Sequence, residues 1–300
     1  MNIIGRRRIW YILSLVLILP GIAALIFWKL PTGIDFKGGT LLDITYKNSP
    51  SKTEVNKALG NAGVKDANIQ QSGSDFIIQT TVLDSAAQQK VQDNLTKVGD
   101  YTQNRLETVG PTVSSDLKQK AIIAVILASL AIIIYIAIAF RKVPKPASSW
   151  RFGVCAIVAL IHDLSFVVGM SAILGHFLGY EIDSLFITAL LTIMGFSVHD
   201  TIVVFDRIRE NLRKSPSLDF ETNVNNSILQ TINRSLNTSF TVLIVLLALY
   251  LLGGETLKHF MLALLLGISI GTYSSIFNAS PLLVSWQAWQ LRRARRKVTS

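Results

Sequence analysis

Apolar residues are concentrated in six runs, and each run is long enough to cross a bilayer, which takes about 20 residues in a helix. The runs lie at 9–29, 120–140, 152–174, 184–205, 236–253 and 259–285. The pattern predicts a polytopic α-helical membrane protein with six transmembrane helices. We expect the first run to be an uncleaved anchor, because it is long and lacks a small-residue cleavage site followed by a polar chain.

Between the first two runs, residues 30–119 are polar and balanced in charge. Apolar and polar positions alternate at 39–47, as in a half-buried strand. Ser51 and Glu54 have the spacing of a capping box that begins a helix, and Asp84 precedes a second helix. Further strands are predicted at 68–71, 76–81 and 101–109. The order β-α-β-β-α-β predicts a small ferredoxin-like α+β domain.

The predicted domain contains no His/Cys cluster, no nucleophile beside a base and no phosphate-binding loop. We therefore expect it to bind or to move, and not to catalyse a reaction. The chain is accordingly divided into an N-terminus with the first helix (1–29), the α+β domain (30–119), helices 2–6 (120–290) and a basic tail (291–300). No metal site, cofactor or enzymatic activity is predicted.

Composition supports the membrane assignment and locates the charge. Half of the 300 residues are hydrophobic, only 16% are charged and the net charge is +10. The Lys and Arg residues cluster in alternate segments, at 6–8, 141–151, 207–234 and 292–297. This is the positive-inside pattern, which predicts cytoplasmic termini and an extracytoplasmic segment 30–119. We expect the basic tail to meet anionic lipids and not nucleic acid.

Two acids lie inside apolar runs. An ionised aspartate at the centre of a transmembrane helix costs about 2.5–3.5 kcal/mol on insertion scales. Asp200 lies near the predicted end of the fourth run, and Asp163 lies nearer the middle of the third. Each is therefore a candidate functional residue.

Six motifs occur in order along the chain, at 33–40, 107–114, 159–163, 195–210, 234–239 and 271–281. With these motifs the chain resembles the SecF branch of the SecD/SecF family of bacterial protein-export proteins, within the resistance-nodulation-division (RND) superfamily. Asp35, Gly38 and Gly39 belong to the first motif. The resemblance implies a partner, SecD, and a role beside the SecYEG translocon and its accessory membrane subunits. It further implies a bacterial plasma-membrane protein that uses the proton-motive force in late steps of the export of unfolded polypeptide.

The resemblance also implies a proton relay, whose acid and basic partner fall on Asp200 and Arg234. The alternative is a structural ion pair that holds two helices together. His199 either tunes this site or substitutes for the asparagine common at its position. Asp163 either joins the relay or hydrogen-bonds to neighbouring helices.

Polar residues of the fifth and sixth runs have two interpretations as well. They either add interhelical hydrogen bonds or form a hydrated path with Asp200, which we favour for Ser275 and Asn278. Two other functions are considered for the chain. One is a subunit of an RND-type exporter of small molecules or lipids, and the other is an intramembrane hydrolase that uses the two His-Asp pairs, 162–163 and 199–200.

Overall fold

The computed structural model describes residues 2–141, 143–144 and 148–298. The chain forms two compact units: a helical unit (1–30, 124–177 and 185–300) and a unit that we call the sheet domain (31–123 and 178–184). Of the predicted basic segments, Lys142, Lys145 and the last two residues of the tail lie outside the described residues. The side chains of Arg296 and Lys297 lie outside them too.

The elements follow one another as a transmembrane-type helix, a small α+β sheet and five further long helical stretches. In chain order they are α1 (Arg7–Phe27), α2 (Ile34–Lys37), β1 (Gly39–Tyr46), α3 (Lys52–Asn61), β2 (Asn68–Ser72), β3 (Asp75–Thr80), α4 (Ser85–Thr96), β4 (Tyr101–Val109), α5 (Pro111–Ala139), α6 (Ser149–Leu178), α7 (Ser184–Lys214), α8 (Phe220–Leu252), α9 (Glu255–Ser274), a π-helical turn (Ser275–Ala279) and α10 (Ser280–Val298).

Within the described ranges, six helices are long and apolar enough to cross a membrane, and α9, the π-helical turn and α10 together supply the sixth. This confirms the predicted number of spans. The helices extend beyond the apolar runs, however. α7 continues past residue 205 to Lys214, and α8 begins at Phe220, where the Asp219 carboxylate caps its first amides. Much of the expected basic loop is therefore helix, and Asp200 lies near the middle of α7 and not near its end.

The basic ends of the helices are joined to one another in the helical unit. Arg7, which begins α1, pairs with Glu221 in the first turn of α8 at 2.9 Å. Arg209, near the end of α7, donates to the carbonyl of Ala139, the last residue of α5, also at 2.9 Å. One contact joins the ends of α1 and α8, and the other joins the ends of α5 and α7.

The sheet domain has the strand order β2-β3-β1-β4, and every neighbouring pair is antiparallel. This is the ferredoxin-like arrangement expected from the sequence. The capping box of Ser51 and Glu54 begins α3, and Asp84 caps α4 by accepting from the Ala87 amide at 2.7 Å. Alternate residues of β1 and β3 pack against α3 and α4, and burial raises the pKa of Tyr46 in this core to about 12.

Gly38 and Gly39 form the sharp turn that leads into β1. Their φ angles are +78° and +141°, which side chains rarely adopt. A Cβ on Gly39 would in addition lie 2.5 Å from the carbonyl oxygen of Thr80 on the neighbouring strand. The two glycines therefore serve backbone geometry at this point.

Candidate intramembrane site

Asp163 is fully buried in the middle of α6 and accepts three hydrogen bonds. Ser197 of α7 donates to its Oδ2 at 2.5 Å, and Ser274 at the end of α9 donates to the same oxygen at 2.7 Å. His162 lies 2.9 Å from Oδ1 through its Nδ1. Three helices thus converge on one carboxyl group, and each of its oxygens has a donor, as a buried carboxyl group requires.

A chain of polar groups continues from His162 to the first helix. Asn278 places its Nδ2 3.0 Å from His162 Nε2, and the Ser14 hydroxyl donates to Asn278 Oδ1 at 2.9 Å. Because Asn278 Nδ2 can only donate, His162 Nε2 must accept, so Nδ1 carries the proton given to Asp163. Tyr273 lies 3.2 Å from Ser14 and donates to the Trp10 carbonyl. Ser14 thus donates to Asn278, Asn278 donates to His162, and His162 donates to Asp163.

The π-helical turn, Ser275–Ala279, interrupts the sixth span at this level. Single π turns inside α-helices are frequent at functional sites, because the wider turn changes the direction of the following side chains. Asn278 lies in this turn and reaches His162. Ser275 lies in it too, and contacts the Thr201 hydroxyl at 3.0 Å and the Ser197 carbonyl at 3.2 Å. The two residues that the sequence assigned to a polar path therefore sit on opposite sides of one distorted turn.

Asp200 is also buried, at 2% exposure, but its contacts are longer than those of Asp163. Ser239 of α8 donates to Asp200 Oδ2 at 3.5 Å. His199 Nδ1 lies 3.8 Å from the other oxygen. The Ser239 hydroxyl is only 2.6 Å from Thr272 Oγ1, and Thr272 donates to the Ile268 carbonyl. The single Ser239 proton is therefore shared between a near hydroxyl and a distant carboxylate.

A groove of about 470 Å³ lies between α8 and α9, close to this second acid. Ser239 and Thr272, the two hydroxyl residues beside Asp200, are part of its lining. Asn237 and Ser269 add polar groups, and aromatic rings such as Phe240 lie along it. Two hydroxyls therefore lie between the groove and Asp200.

Arg234 and His199 both lie at the margin of the buried cluster. Arg234 is exposed on α8, and among the residues that the structure describes no ion pair joins it to Asp200. It precedes Ser239 by five residues, about 7.5 Å along the helix axis. The side chain of His199 is 61% exposed. Thr238 turns its hydroxyl back to the carbonyl of Arg234 and has no part in the buried cluster.

Five residues of the site were not singled out from the sequence: Ser14, Ser197, Thr201, Thr272 and Tyr273. Four of them lie within the motifs at 195–210 and 271–281, which was the available signal. Ser14 is the only serine of the first apolar run, where a serine commonly bonds to its own helix. In the part of the chain that the structure describes, no three His, Cys, Asp or Glu side chains are grouped so that they could hold a metal ion.

Six long apolar helices, a small α+β domain and two carboxyl groups buried among hydroxyls define a polytopic membrane protein of the transport class, in which intramembrane acids mark ion pathways. Residues 90–289 match the family described as "Protein export membrane protein SecD/SecF, C-terminal". The chain is 47% identical to the protein translocase subunit SecF of Thermobaculum terrenum, over 99% of this chain and 97% of that protein. It is 43% identical to the SecF subunit of Anaerolinea thermophila, over 97% of this chain and 96% of that protein.

The fold agrees with a solved structure. SecDF, a translocon-associated membrane protein from Thermus thermophilus, superimposes with a TM-score of 0.85 at 34% identity. The match covers 96% of this chain and 39% of that one, so the chain spans about two fifths of SecDF. The chain therefore belongs to the SecD/SecF family, as a SecF subunit of the Sec translocase, and is not an enzyme.

Proposed function

We propose that this subunit, together with a SecD partner, couples proton flow through the membrane to late steps of polypeptide export. The observation that carries the proposal is the presence of two carboxyl groups buried in the helical unit, at 0% and 2% exposure. A proton that descends the membrane potential supplies about 2.3 kcal/mol per 100 mV. A buried acid that alternately binds and releases a proton can convert this free energy into helix movement.

Asp200 is the better candidate for the proton carrier. Asp163 has three short hydrogen bonds, so a change in its charge would disturb three helices at once. The contacts of Asp200 with Ser239 and His199 are longer, at 3.5 and 3.8 Å, and Ser239 and Thr272 beside it line the groove. A loosely held carboxyl group beside an accessible groove can exchange a proton with little rearrangement.

We assign supporting roles to the other predicted residues. Arg234 would approach Asp200 in another state of the cycle, because both it and the Asp200 neighbour Ser239 lie on α8. Its positive charge would then favour the ionised acid. His199, whose side chain is largely exposed, would tune the site. Asp163 and Asn278 would hold α1, α6, α7 and the π-helical turn in register around it.

The remaining partners and the orientation are part of the same proposal. The SecDF structure contains a further three fifths of chain beyond the match, and a separate SecD subunit would supply the equivalent here. The contacts of Arg7 and Arg209 join basic helix ends, which favours cytoplasmic termini and an extracytoplasmic domain at 30–119. The translocon SecYEG, its accessory subunits and unfolded polypeptide would be the partners in export, and anionic lipids would bind the tail.

The test compares Asp200→Asn and Arg234→Met in a strain depleted of its own SecF. Both variants should fail to restore growth and proton-motive-force-dependent export, while the amount of protein in the membrane and its association with SecD stay normal. Asp206→Asn is the matched control, because this acid lies on the same helix and pairs with Arg209 at the surface. Normal export by both variants would refute the relay, and loss of protein together with SecD binding would support a structural pair.

A further inference from the structure

The connection between α6 and α7 belongs to the sheet domain. Ile182 forms an isolated parallel bridge with Thr32. Its carbonyl accepts from the Gly33 amide at 2.8 Å, and its own amide donates to the Pro31 carbonyl at 2.9 Å. Residues 179–183, which we call the connecting loop, therefore pair through their backbone with the segment that precedes β1.

Two side chains of β2 hold the start and the middle of the connecting loop. At its start, Gln70 of β2 donates to the Gly179 carbonyl at 2.6 Å. In its middle, Asn68 of the same strand donates to Glu181 at 3.1 Å. Partial burial raises the pKa of the Glu181 carboxyl above its ordinary value, although Lys37 and its hydrogen bonds act in the opposite direction. The connecting loop thus contacts the sheet domain through its backbone at Ile182 and through Gly179 and Glu181.

At the end of the loop, Asp35 acts as a helix cap from a distant part of the chain. Its Oδ2 accepts from the backbone amide of Ser184 at 2.8 Å and from the Ser184 hydroxyl at 2.5 Å. Ser184 is the first residue of α7, whose free amides and dipole favour a carboxylate at this point. The first residue of the helix that carries Asp200 is therefore bound by a carboxylate from a distant part of the chain.

The chain continues from this loop directly into the two helices that carry the acids. The part of α6 between Asp163 and its last residue, Leu178, is unbroken helix. The part of α7 between its first residue, Ser184, and Asp200 is unbroken helix as well. A helix transmits displacement along its axis because its backbone bonds are all internal. Movement of either acid-bearing helix must therefore be transmitted to the connecting loop.

We propose that the connecting loop and its Asp35 cap are the mechanical joint through which proton-driven movement of α6 and α7 reaches the sheet domain. Asp35 is then a positioning residue, which couples proton flow to export without taking part in the flow itself. This inference rests on the proposed function, because it assigns an output to the proton site.

The test uses the full chain with its SecD partner in membrane vesicles, and measures both proton flux and the export of a labelled secretory precursor. Asp35→Ala should lose the proton-motive-force-dependent part of export and keep both the proton flux and the membrane level. Asp35→Asn keeps an oxygen acceptor and should restore part of the export. The matched control is Asp84→Ala, which removes a carboxylate cap of the same kind from α4 and should leave both activities unchanged.

A second variant keeps the test valid in case Asp35→Ala misfolds. Asn68→Ala combined with Gln70→Ala loosens the loop without touching the cap, and should also reduce export more than flux. Export at the normal level in Asp35→Ala and in this double variant would overturn the joint, as would an equal loss of flux and export. Asp200→Asn separates the two proposals: normal flux and export in that variant would overturn the proton site itself, whatever Asp35→Ala does.

Discussion

The replacement of Asp163 tests the buried hydrogen-bond network most directly. Asp163→Ala removes three hydrogen bonds, from Ser197, Ser274 and His162. In membrane proteins, a side-chain hydrogen bond between helices contributes about 0.6 kcal/mol on average and up to about 1.7 kcal/mol. This is less than the cost of a buried unpaired group in a soluble protein, because the unfolded chain in the membrane also finds hydrogen-bond partners. Three bonds therefore amount to about 2–5 kcal/mol of the free energy of unfolding.

Asp163→Asn should be much milder, because the polar chain can reverse its direction. An amide nitrogen in place of Oδ1 would donate to His162 Nδ1, and the other tautomer of His162 would donate to the oxygen of a turned Asn278 amide. Asn278 would then donate to Ser14, which can donate to Tyr273 in turn. No hydrogen bond is lost in the reversed chain, so we expect a change of about 1 kcal/mol or less.

Unfolding in mixed detergent micelles of increasing sodium dodecyl sulfate content, followed by circular dichroism, measures both variants. Ser274→Ala, which removes one donor, should lose about 0.6–1.7 kcal/mol. Ser129→Ala is its matched control, because that hydroxyl bonds only to the Val125 carbonyl of its own helix. If Asp163→Asn is as unstable as Asp163→Ala, the reversal of the chain is refuted.

Three further predictions concern packing and pH. Gly39→Ala should destabilise the sheet domain by about 1–3 kcal/mol, because φ is +141° and the new Cβ meets the Thr80 carbonyl; thermal melting measures this. Gly169→Ala should cost about 1–3 kcal/mol in detergent unfolding, because its Cβ would lie 2.6 Å from the Gly21 Cα on α1. Glu181→Gln should raise the melting temperature at neutral pH. The pKa of Glu181 is higher in the folded state than in the unfolded state, so the folded protein binds this proton more tightly. The free energy of unfolding therefore falls as the pH rises from the ordinary carboxyl pKa to the raised pKa.

Each of these three has an internal control. Gly60→Ala on α3 meets no atom within 4 Å and should not destabilise the sheet domain. Gly153→Ala on α6 meets only Ile136, at an ordinary 3.7 Å. For Glu181→Gln, the dependence of melting temperature on pH should flatten between mildly acidic and neutral pH; an unchanged slope would contradict the assignment of the raised pKa.

Local patterns in the sequence determined the elements of this protein. Six runs of apolar residues predict six spans, since no other backbone arrangement satisfies its hydrogen bonds in lipid except a closed barrel. The caps at Ser51 and Asp84 and the alternation in β1 predict the α+β domain, and all of these are confirmed. Each signal arises from residues within one or two turns of each other, so a single sequence contains it in full.

The partners of the buried acids depended on the tertiary structure. Asp163 and Asp200 were identified as candidates from the free-energy cost of burying a charge in a membrane. The donors around Asp163, however, come from α6, α7 and α9, and Ser239 beside Asp200 comes from α8. A helix that is apolar on all sides does not show which face meets which neighbour. Among the described residues, Ser239 lies beside Asp200, and no ion pair between Asp200 and Arg234 is formed.

The role of the connecting loop was beyond the sequence for the same reason. Asp35 and Ser184 are 149 positions apart, and nothing local to either residue indicates that one caps the other. Only the folded chain brings the turn before β1 beside the start of α7. Asp200 was visible in the sequence because burial of charge is costly wherever it occurs. The groups that hold its helix, by contrast, are set by the packing of distant segments.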